Sequence, residues 1–313
     1  MSSDAEVVYC QADPVYRKAE GQSQSHLKTI LKSPAHYQSA AKHRLIPSPA
    51  MIMGTAVHCL ALEGQKTFDA QFCQRPPGIK FTTKEGKEWR EANSKKTILT
   101  NDGRDRQWDS VNGMAQALQS LEWFNPEQED YRKFNEVSIY WTENDIPCKA
   151  RLDRVIEMDD EVLVLDLKTT DSISTAKFQS KFVDLGYDFQ AAWYSHAAEL
   201  VYQKPARFIF VAIERTAPFT MDFFEVPKFM LQQARARNLK ALSILKECLE
   251  KDEWPTKQPT LKLLEYPRWF KPCTDDQPTQ TKTTDDFVPL FWLQARMDYW
   301  GCWAADSSNC PCF

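Results

Sequence analysis

The segment of residues 162–168, VLVLDLK, constrains the fold more than any other part of this chain. Its apolar residues are nearly continuous, which is typical of a strand buried in the centre of a sheet. Asp166 and Lys168 interrupt the apolar run near its end. Charged groups placed there cost free energy unless they are paired or bound to a metal. The rest of the chain must therefore provide partners for them.

Two further strands are predicted just upstream. Residues 134–142 alternate in polarity and are rich in β-forming side chains, and residues 146–156 follow after a short Asn-Asp turn. A second turn, Asp-Asp, leads into residues 162–168. The three segments together predict an antiparallel meander.

Helices and further strands are predicted on both sides of this meander. Upstream, helices are predicted within residues 25–64, the last of them carrying His58 and ending near Gly64, and in two pieces over residues 82–121. The polar residues 1–24 are expected to be extended, and residues 65–80 irregular. Downstream, the hydrophobic periodicity predicts helices over residues 174–183, 188–202 and 227–251 and strands over residues 207–214 and 220–226. This order indicates an α/β (α+β) protein with an N-terminal helical lobe.

Composition narrows the class of protein. The chain has 313 residues, of which 42% are hydrophobic, so it can bury a substantial core. A formal net charge of −4 does not indicate a general coat for nucleic acid, although a local basic surface is compatible with it. The absence of a long apolar run argues against a membrane span, and the start MSSDAEVVYC lacks the pattern of a signal peptide. Nine scattered cysteines then favour free thiols in a reducing cytoplasm.

The acids of the meander predict a metal site. Asp153 lies in the second strand and Asp166 in the third, so antiparallel neighbours can bring the two carboxylates together. Two close carboxylates repel each other unless a cation lies between them. Oxygen ligands of this kind suit Mg²⁺ or Mn²⁺, and the main-chain carbonyl of Leu167 can add a ligand. Lys168 shares a strand face with Asp166 and could orient a water or stabilise charge on a phosphate.

Each of these residues also has a structural interpretation. Lys168 could simply form a salt bridge with Asp166 or Asp171, since a lone D-x-K is common. His58 lies in the apolar helix MIMGTAVHCLAL, where a histidine is often a satisfied core residue. Gln190 and Tyr194 lie four residues apart and share one helix face, which could pack on the sheet. The combination of these residues, rather than any one of them, indicates a site.

The combination resembles the PD-(D/E)xK nuclease superfamily, specifically its RecB-like and RecE (exonuclease VIII) branch. The resemblance spans roughly residues 22–270, and its motifs come in the family's order. They are GTAVH ending at His58, EVS beginning at Glu136, RLD ending at Asp153, DLKTT beginning at Asp166, and QAAWY from Gln190 to Tyr194. Asp166 stands where many members have Glu, and Leu152 replaces the proline of the family name.

The resemblance implies a role for each residue. Asp153, Asp166 and His58 would hold the metal ion, and Lys168 would be the catalytic lysine. Glu136 would be an outer or second-metal acid. Gln190 and Tyr194 would support the site or touch DNA. The implied fold is a restriction-endonuclease-like core with a central mixed sheet flanked by helices.

The resemblance also implies a function and partners. The expected activity is Mg²⁺-dependent hydrolysis of double-stranded DNA from 5′ ends, with Mn²⁺ as a substitute, leaving 3′ single strands for a RecT-like annealing protein. A homo-oligomeric ring around DNA, in a bacterial cell or phage-infected host, is implied as well. A structure- or sequence-specific endonuclease and a non-cutting DNA-binding protein of the same fold are the alternatives.

The expected organisation has four parts. Residues 1–134 would form the helical lobe that contributes His58, and residues 135–270 the nuclease core. A polar linker over residues 271–286 would lead to an aromatic and cysteine-containing tail over residues 287–313. Two basic faces, over residues 84–106 and 235–246, are candidate contacts for DNA phosphates.

Overall fold

The computed structural model describes residues 5–43, 46–102, 106–124 and 131–267. The chain divides into two units, Met1–Thr256 and Lys257–Phe313. Described residues 257–267 of the second unit contain no helix or strand. The predicted linker and tail, residues 271–313, lie outside the described residues.

The first unit contains both helices and strands. Its helices are α1 (Asp13–Lys18), α2 (Gln24–Lys32), α3 (Pro34–Lys42), α4 (Pro49–His58), α5 (Gln65–Gln71), α6 (Lys84–Ala92), α7 (Gln107–Gln119), α8 (Thr175–Asp184), α9 (Tyr187–Tyr202) and α10 (Lys228–Lys251). Its strands are β1 (Glu6–Val8), β2 (Phe72–Gln74), β3 (Thr97–Leu99), β4 (Arg132–Glu143), β5 (Ile146–Glu157), β6 (Val162–Thr170), β7 (Ala206–Glu214) and β8 (Met221–Glu225).

A six-stranded mixed sheet in the order β1-β4-β5-β6-β7-β8 forms the centre of the unit. β4, β5 and β6 are antiparallel neighbours, which confirms the predicted meander. β6 pairs with β7 in parallel, and β8 completes the sheet antiparallel to β7. The parallel pair requires a crossover, which α8 and α9 provide. The predicted mixed sheet flanked by helices is therefore confirmed.

Helices cover both faces of this sheet. Val164 and Phe210 belong to one apolar cluster that includes Trp193 of α9. Leu165 and Val211, their neighbours along the strands, belong to a second cluster with helices α4, α5 and α7. Since successive strand residues point to opposite faces, β6 and β7 are buried on both sides. This explains the nearly continuous apolar sequence of β6.

The alternation of β4 and β5 is interrupted at the same level in both strands. In β5, Leu152 and Val155 contact the same apolar cluster although they are three residues apart. The backbone of Glu136 in β4 has φ +50, a left-handed conformation that is uncommon for residues other than glycine. The ladder pairs Val137 with Leu152 but omits Glu136 and Asp153. Two of the three candidate site acids, Glu136 and Asp153, therefore lie at this irregularity.

The N-terminal residues form more structure than the sequence predicts. β1 pairs with the edge of β4, and α1 follows it, so the expectation of a wholly extended segment is wrong for Asp13–Lys18. The buried Lys149 of β5 donates to the carbonyl oxygens of Tyr16 at 3.1 Å and Arg17 at 3.4 Å. Long-range contacts thus stabilise a six-residue helix that has no buried residues of its own.

Residues 65–80 are also more ordered than expected. After α4 the chain continues as a π-helical turn, Cys59–Glu63, and Gly64 breaks it with φ +88. α5 and β2 follow, because Phe68 and Phe72 are buried and stack with ring centroids 5.1 Å apart. β2 pairs in parallel with β3, a strand that lies within the region predicted to be helical. The apolar residues of β3 are too few to show periodicity.

No helix among the described residues combines the length and apolar character needed to cross a membrane. The described cysteines are free thiols, namely Cys10, Cys59, Cys73, Cys148 and Cys248. For these five cysteines the expectation of free thiols is confirmed.

Candidate active site

The meander brings Asp153, Asp166 and Lys168 together. Asp153 Oδ2 accepts a hydrogen bond of 2.8 Å from the backbone N–H of Leu167, which lies between the other two residues in β6. Lys168 forms an ion pair with Asp166, whose side chain is only 1% exposed. The spacing of the D-x-K motif therefore places a half-buried cation beside a buried acid, with the second acid across the strand pair.

His58 joins this group from the end of α4. Its Nε2–H donates to the main-chain carbonyl of Leu167 at 3.0 Å, and its Nδ1 lies 3.4 Å from Asp153 Oδ2. The imidazole thus contacts β5 and β6 at once. A residue of the N-terminal helices thus lies beside Asp153 and the D-x-K strand. The Leu167 carbonyl, predicted as a metal ligand, here accepts a hydrogen bond.

Glu136 reaches the same group from β4. Its Oε2 forms an ion pair with Arg151, 2.7 Å from Nε. One ligand atom from each of His58, Glu136 and Asp153 lies within 4.8 Å of the others. This geometry gives Glu136 a more central place than the outer position implied for it. Asp166 is outside this compact group and stays a predicted ligand.

Gln190 of α9 supports Asp166. Its Nε2 donates to Asp166 Oδ1 at 2.7 Å, and both side chains are buried. Tyr194, one helical turn further on, is hydrogen-bonded to Gln190. Lys168 Nζ lies 5.0 Å from the centroid of the Tyr187 ring, a cation–π distance. The Q-x-x-x-Y segment therefore backs the D-x-K strand.

The close packing of charges shifts the pKa values of the group. Burial would lower the pKa of His58, but Asp153 and Glu136 raise it to about 9. Burial, reinforced by the charge of Asp153, raises the pKa of Glu136 to about 8. Burial likewise raises the pKa of Asp166 to about 6, although Lys168 opposes the shift. The group holds protons at neutral pH that a bound cation would displace.

Asp153 and Lys168 favour their charged forms. Burial would raise the pKa of Asp153, but His58, Lys168 and the Leu167 N–H together lower it. Burial would lower the pKa of Lys168, but the charges of Asp166 and Asp153 raise it. A carboxylate and an ammonium are thus held side by side away from bulk water.

A divalent cation fits this set of donors. Two carboxylates and an imidazole can all bind such an ion, and carboxylate oxygens favour Mg²⁺ and Mn²⁺. The repulsion that raises the pKa of Glu136 beside Asp153 would be relieved by a positive ion between them. His58 would bind in its neutral form, after loss of a proton.

The group opens into a cavity of about 620 Å³. Its wall includes six of the predicted residues, but Asp166 and Gln190 lie behind it. It also includes residues that the sequence did not single out as functional: Asp13, Tyr16, Arg17, Glu63, Lys181 and Arg215. One signal could have pointed to Arg151. In KARLDRV, Lys149, Arg151 and Asp153 share one side of β5, and three charges in a strand with buried apolar neighbours need partners.

The two basic faces proposed for DNA differ. On α10, Arg235 pairs with Glu143, Arg237 with Asp188, and Lys246 with Asp145. On the α6–β3 face, Lys87 and Lys96 line an open pocket and have no ion pair among the described residues. Lys87 and Lys96 are therefore available to phosphates, whereas Arg235, Arg237 and Lys246 are engaged.

The fold and this site together define a domain of the PD-(D/E)xK nuclease superfamily. Residues 23–262 match the profile of one family, described as "PDDEXK-like domain of unknown function (DUF3799)". The chain belongs to that family.

A solved structure from Eubacterium rectale, described as a "Putative exonuclease", is similar to this chain with a TM-score of 0.56. The two share 15% identity over 82% of this chain and 95% of that chain, which shows a common fold. The structure of SSO0001 matches at a TM-score of 0.28 and 14% identity, over 42% of this chain and 56% of that chain. No curated protein matches this chain.

Proposed function

We propose that this protein is a metal-dependent exonuclease that hydrolyses double-stranded DNA in the 5′→3′ direction and leaves 3′ single-stranded tails. The observation that carries the proposal is the convergence of His58, Glu136, Asp153 and Lys168 on one cavity, with the buried Asp166 paired to Lys168 behind its wall. Acids that can hold a cation, next to an ammonium that faces the same cavity, are suited to hydrolysis of a phosphodiester.

His58, Glu136 and Asp153 would hold the cation, with Asp166 as the further predicted ligand. Mg²⁺ is the proposed ion, and Mn²⁺ the substitute, because carboxylate oxygens are hard ligands. A bound ion of this kind neutralises a phosphate oxygen and lowers the pKa of a bound water. The burial of Asp166 and Glu136 and the partial burial of Asp153 strengthen their attraction for a cation.

Other side chains would stabilise charge on the phosphate and hold the acids in place. Lys168 stays charged, because Asp166 and Asp153 raise its pKa, so its ammonium can stabilise negative charge that develops on the phosphate. Gln190 fixes the carboxylate of Asp166 by donating to Oδ1. Tyr194 in turn holds Gln190 and lines the cavity. Gln190 is thus a positioning residue, and Lys168 the catalytic one.

The choice of an exonuclease rests on likeness. The motif order resembles RecE-type enzymes, and the structurally similar protein of Eubacterium rectale is described as a "Putative exonuclease". From the same resemblance we propose a RecT-like single-strand annealing protein as partner, a homo-oligomeric ring around the DNA, and a place in the cytoplasm of a bacterial or phage-infected cell.

The test is a time course on end-labelled linear duplex DNA with and without Mg²⁺. The wild type should release 5′ nucleotides only with Mg²⁺, and Lys168→Ala should abolish release while the protein stays folded. Lys177→Ala on α8 is the matched control, because Lys177 is exposed and does not line the cavity. Near wild-type activity of Lys168→Ala would refute the site assignment. Release from 3′ ends would refute the polarity, and cleavage of closed circular DNA would indicate the endonuclease.

A further inference from the structure

Helix α1 is attached to the edge of the candidate active site by two buried cations of β5. Lys149, which is 4% exposed, donates to the carbonyl oxygens of Tyr16 and Arg17 at the end of α1. Arg151, which is 9% exposed, donates from Nη1 to Asp13 Oδ1 at 2.7 Å at the start of α1. Both ends of the helix are therefore fixed to the strand that carries Asp153.

Arg151 connects α1 to the acidic group. Its Nε lies 2.7 Å from Glu136 Oε2 while its Nη1 contacts Asp13, and its Nη2 lies 3.9 Å from Glu63 Oε1. One guanidinium thus serves three carboxylates. Only Glu136 among these three belongs to the compact group of potential metal ligands.

We propose that Asp13 is a positioning residue of the cation site, acting through Arg151 on Glu136. A buried guanidinium needs compensating charge, and planar two-pronged pairing with a carboxylate is its preferred geometry. With Asp13 present, Arg151 divides its donors, and Glu136 keeps one oxygen for the cation. Without Asp13, Arg151 would engage both oxygens of Glu136 and draw the carboxylate away from His58 and Asp153.

This inference rests on the proposed function, because it assumes that the group binds a divalent cation. It also extends the site beyond the family match, which begins at residue 23. Asp13 and α1 lie before that residue, yet Asp13, Tyr16 and Arg17 form part of the cavity wall. A segment outside the family profile would therefore tune the chemistry of the family's own residues.

The test measures binding of Mn²⁺ alone by isothermal titration calorimetry. Asp13→Asn should weaken Mn²⁺ binding about tenfold, because a carboxylate ligand is diverted and one negative charge near the ion is lost. Asp13→Glu should restore binding to within about threefold of the wild type. The control Lys18→Gln removes another cation of α1 that is exposed and does not line the cavity, so Mn²⁺ affinity should not change.

A thermal unfolding scan without metal separates positioning from folding. The inference requires Asp13→Asn to unfold cooperatively and lose Mn²⁺ affinity; affinity within twofold of the wild type would overturn it. Should Asp13→Asn not fold, Glu63→Gln decides, since it neutralises another partner of Arg151 from outside α1. A loss of about threefold supports charge sharing, and unchanged affinity overturns it.

The proposed nuclease activity and the proposed role of Asp13 can be refuted by different results. A wild-type protein that binds Mn²⁺ but leaves linear duplex DNA intact would refute the nuclease and leave the role of Asp13 standing. A wild type that cleaves DNA, together with an Asp13→Asn variant of normal Mn²⁺ affinity, would refute only the role of Asp13. A wild type that binds no Mn²⁺ would overturn the role of Asp13 directly.

Discussion

Replacing Gln190 with alanine tests how much of the activity depends on orienting Asp166. The Gln190 amide donates 2.7 Å to Asp166 Oδ1, and the Asp166 side chain is 1% exposed. Water therefore has little access with which to replace the lost donor. Gln190→Ala should leave Asp166 ion-paired to Lys168 but free to rotate about that contact.

The expected fall in kcat/KM of Gln190→Ala follows from the type of hydrogen bond that is lost. A hydrogen bond to a charged group contributes about 1.5–3 kcal/mol, and about 1.4 kcal/mol corresponds to a tenfold change in rate. If the bond acts fully in the transition state, kcat/KM should fall by a factor between about 10 and about 150. The loss should appear mainly in kcat, because Gln190 holds the acid and does not bind the DNA.

Single-turnover cleavage of a short end-labelled duplex in Mg²⁺ would measure this effect without contributions from product release. Gln116→Ala is a suitable control, because Gln116 is exposed on α7 and lies outside the site. Gln190→Glu should be worse than Gln190→Ala, since it places a second buried acid against Asp166. Activity of Gln190→Ala within twofold of the wild type would show that the bond does not support catalysis, and the assignment of Gln190 would fail.

Three further predictions concern pH, DNA affinity and the cation. Burial and the nearby Arg235 lower the pKa of His196 to about 4, below its ordinary value of about 6.5. The unfolded chain therefore binds this proton more readily, so the contribution of His196 to stability is complete above pH 6.5 and is lost as pH falls towards 4. Between pH 7.5 and pH 5 the wild type should lose about 2 kcal/mol more unfolding free energy than His196→Gln in urea titrations; equal losses would contradict the shift. Reversing the charges of Lys87 and Lys96 together should weaken binding to duplex DNA in a fluorescence titration. The slope of log K against log salt should become shallower by about 2, because each phosphate contact contributes about 0.9. Reversing the charge of Lys246, which is paired with Asp145 at 2.6 Å, should leave the slope unchanged. Removing divalent cations with a chelator should abolish cleavage and lower Tm by a few degrees if the acidic group binds the ion in the folded state only; an unchanged Tm on re-addition of Mn²⁺ would argue against such binding.

The large strands and helices of the fold were predictable because their signals are local. β4, β5 and β6 show period-two alternation or continuous apolar sequence over nine or more residues, and α10 shows a helical apolar stripe over 24 residues. The helix α1 was not predictable, since its six residues have no apolar period and are stabilised by Lys149, which is 133 residues from Tyr16.

The candidate site likewise has parts that the sequence could predict and parts that it could not. Asp166 and Lys168 are two residues apart in one strand, so their pairing follows from spacing alone. The proximity of His58 to Asp153, by contrast, was predicted only through the family resemblance. The place of Glu136 depends on a backbone φ of +50 inside a strand. No propensity predicts such a conformation for glutamate, because sequence propensities describe the common regions of φ and ψ.

The buried Lys149 has a consequence for how sequences of this family should vary. Its ammonium is compensated by main-chain carbonyls at the end of α1 and just after it, those of Tyr16, Arg17 and Ala19. A relative without a corresponding helix would lack these acceptors for a lysine at this strand position. Lysine at this position should therefore occur together with an N-terminal extension, and relatives that begin near residue 23 should carry a small or apolar residue there. One strand position thus serves as a marker for a segment that the family profile does not cover.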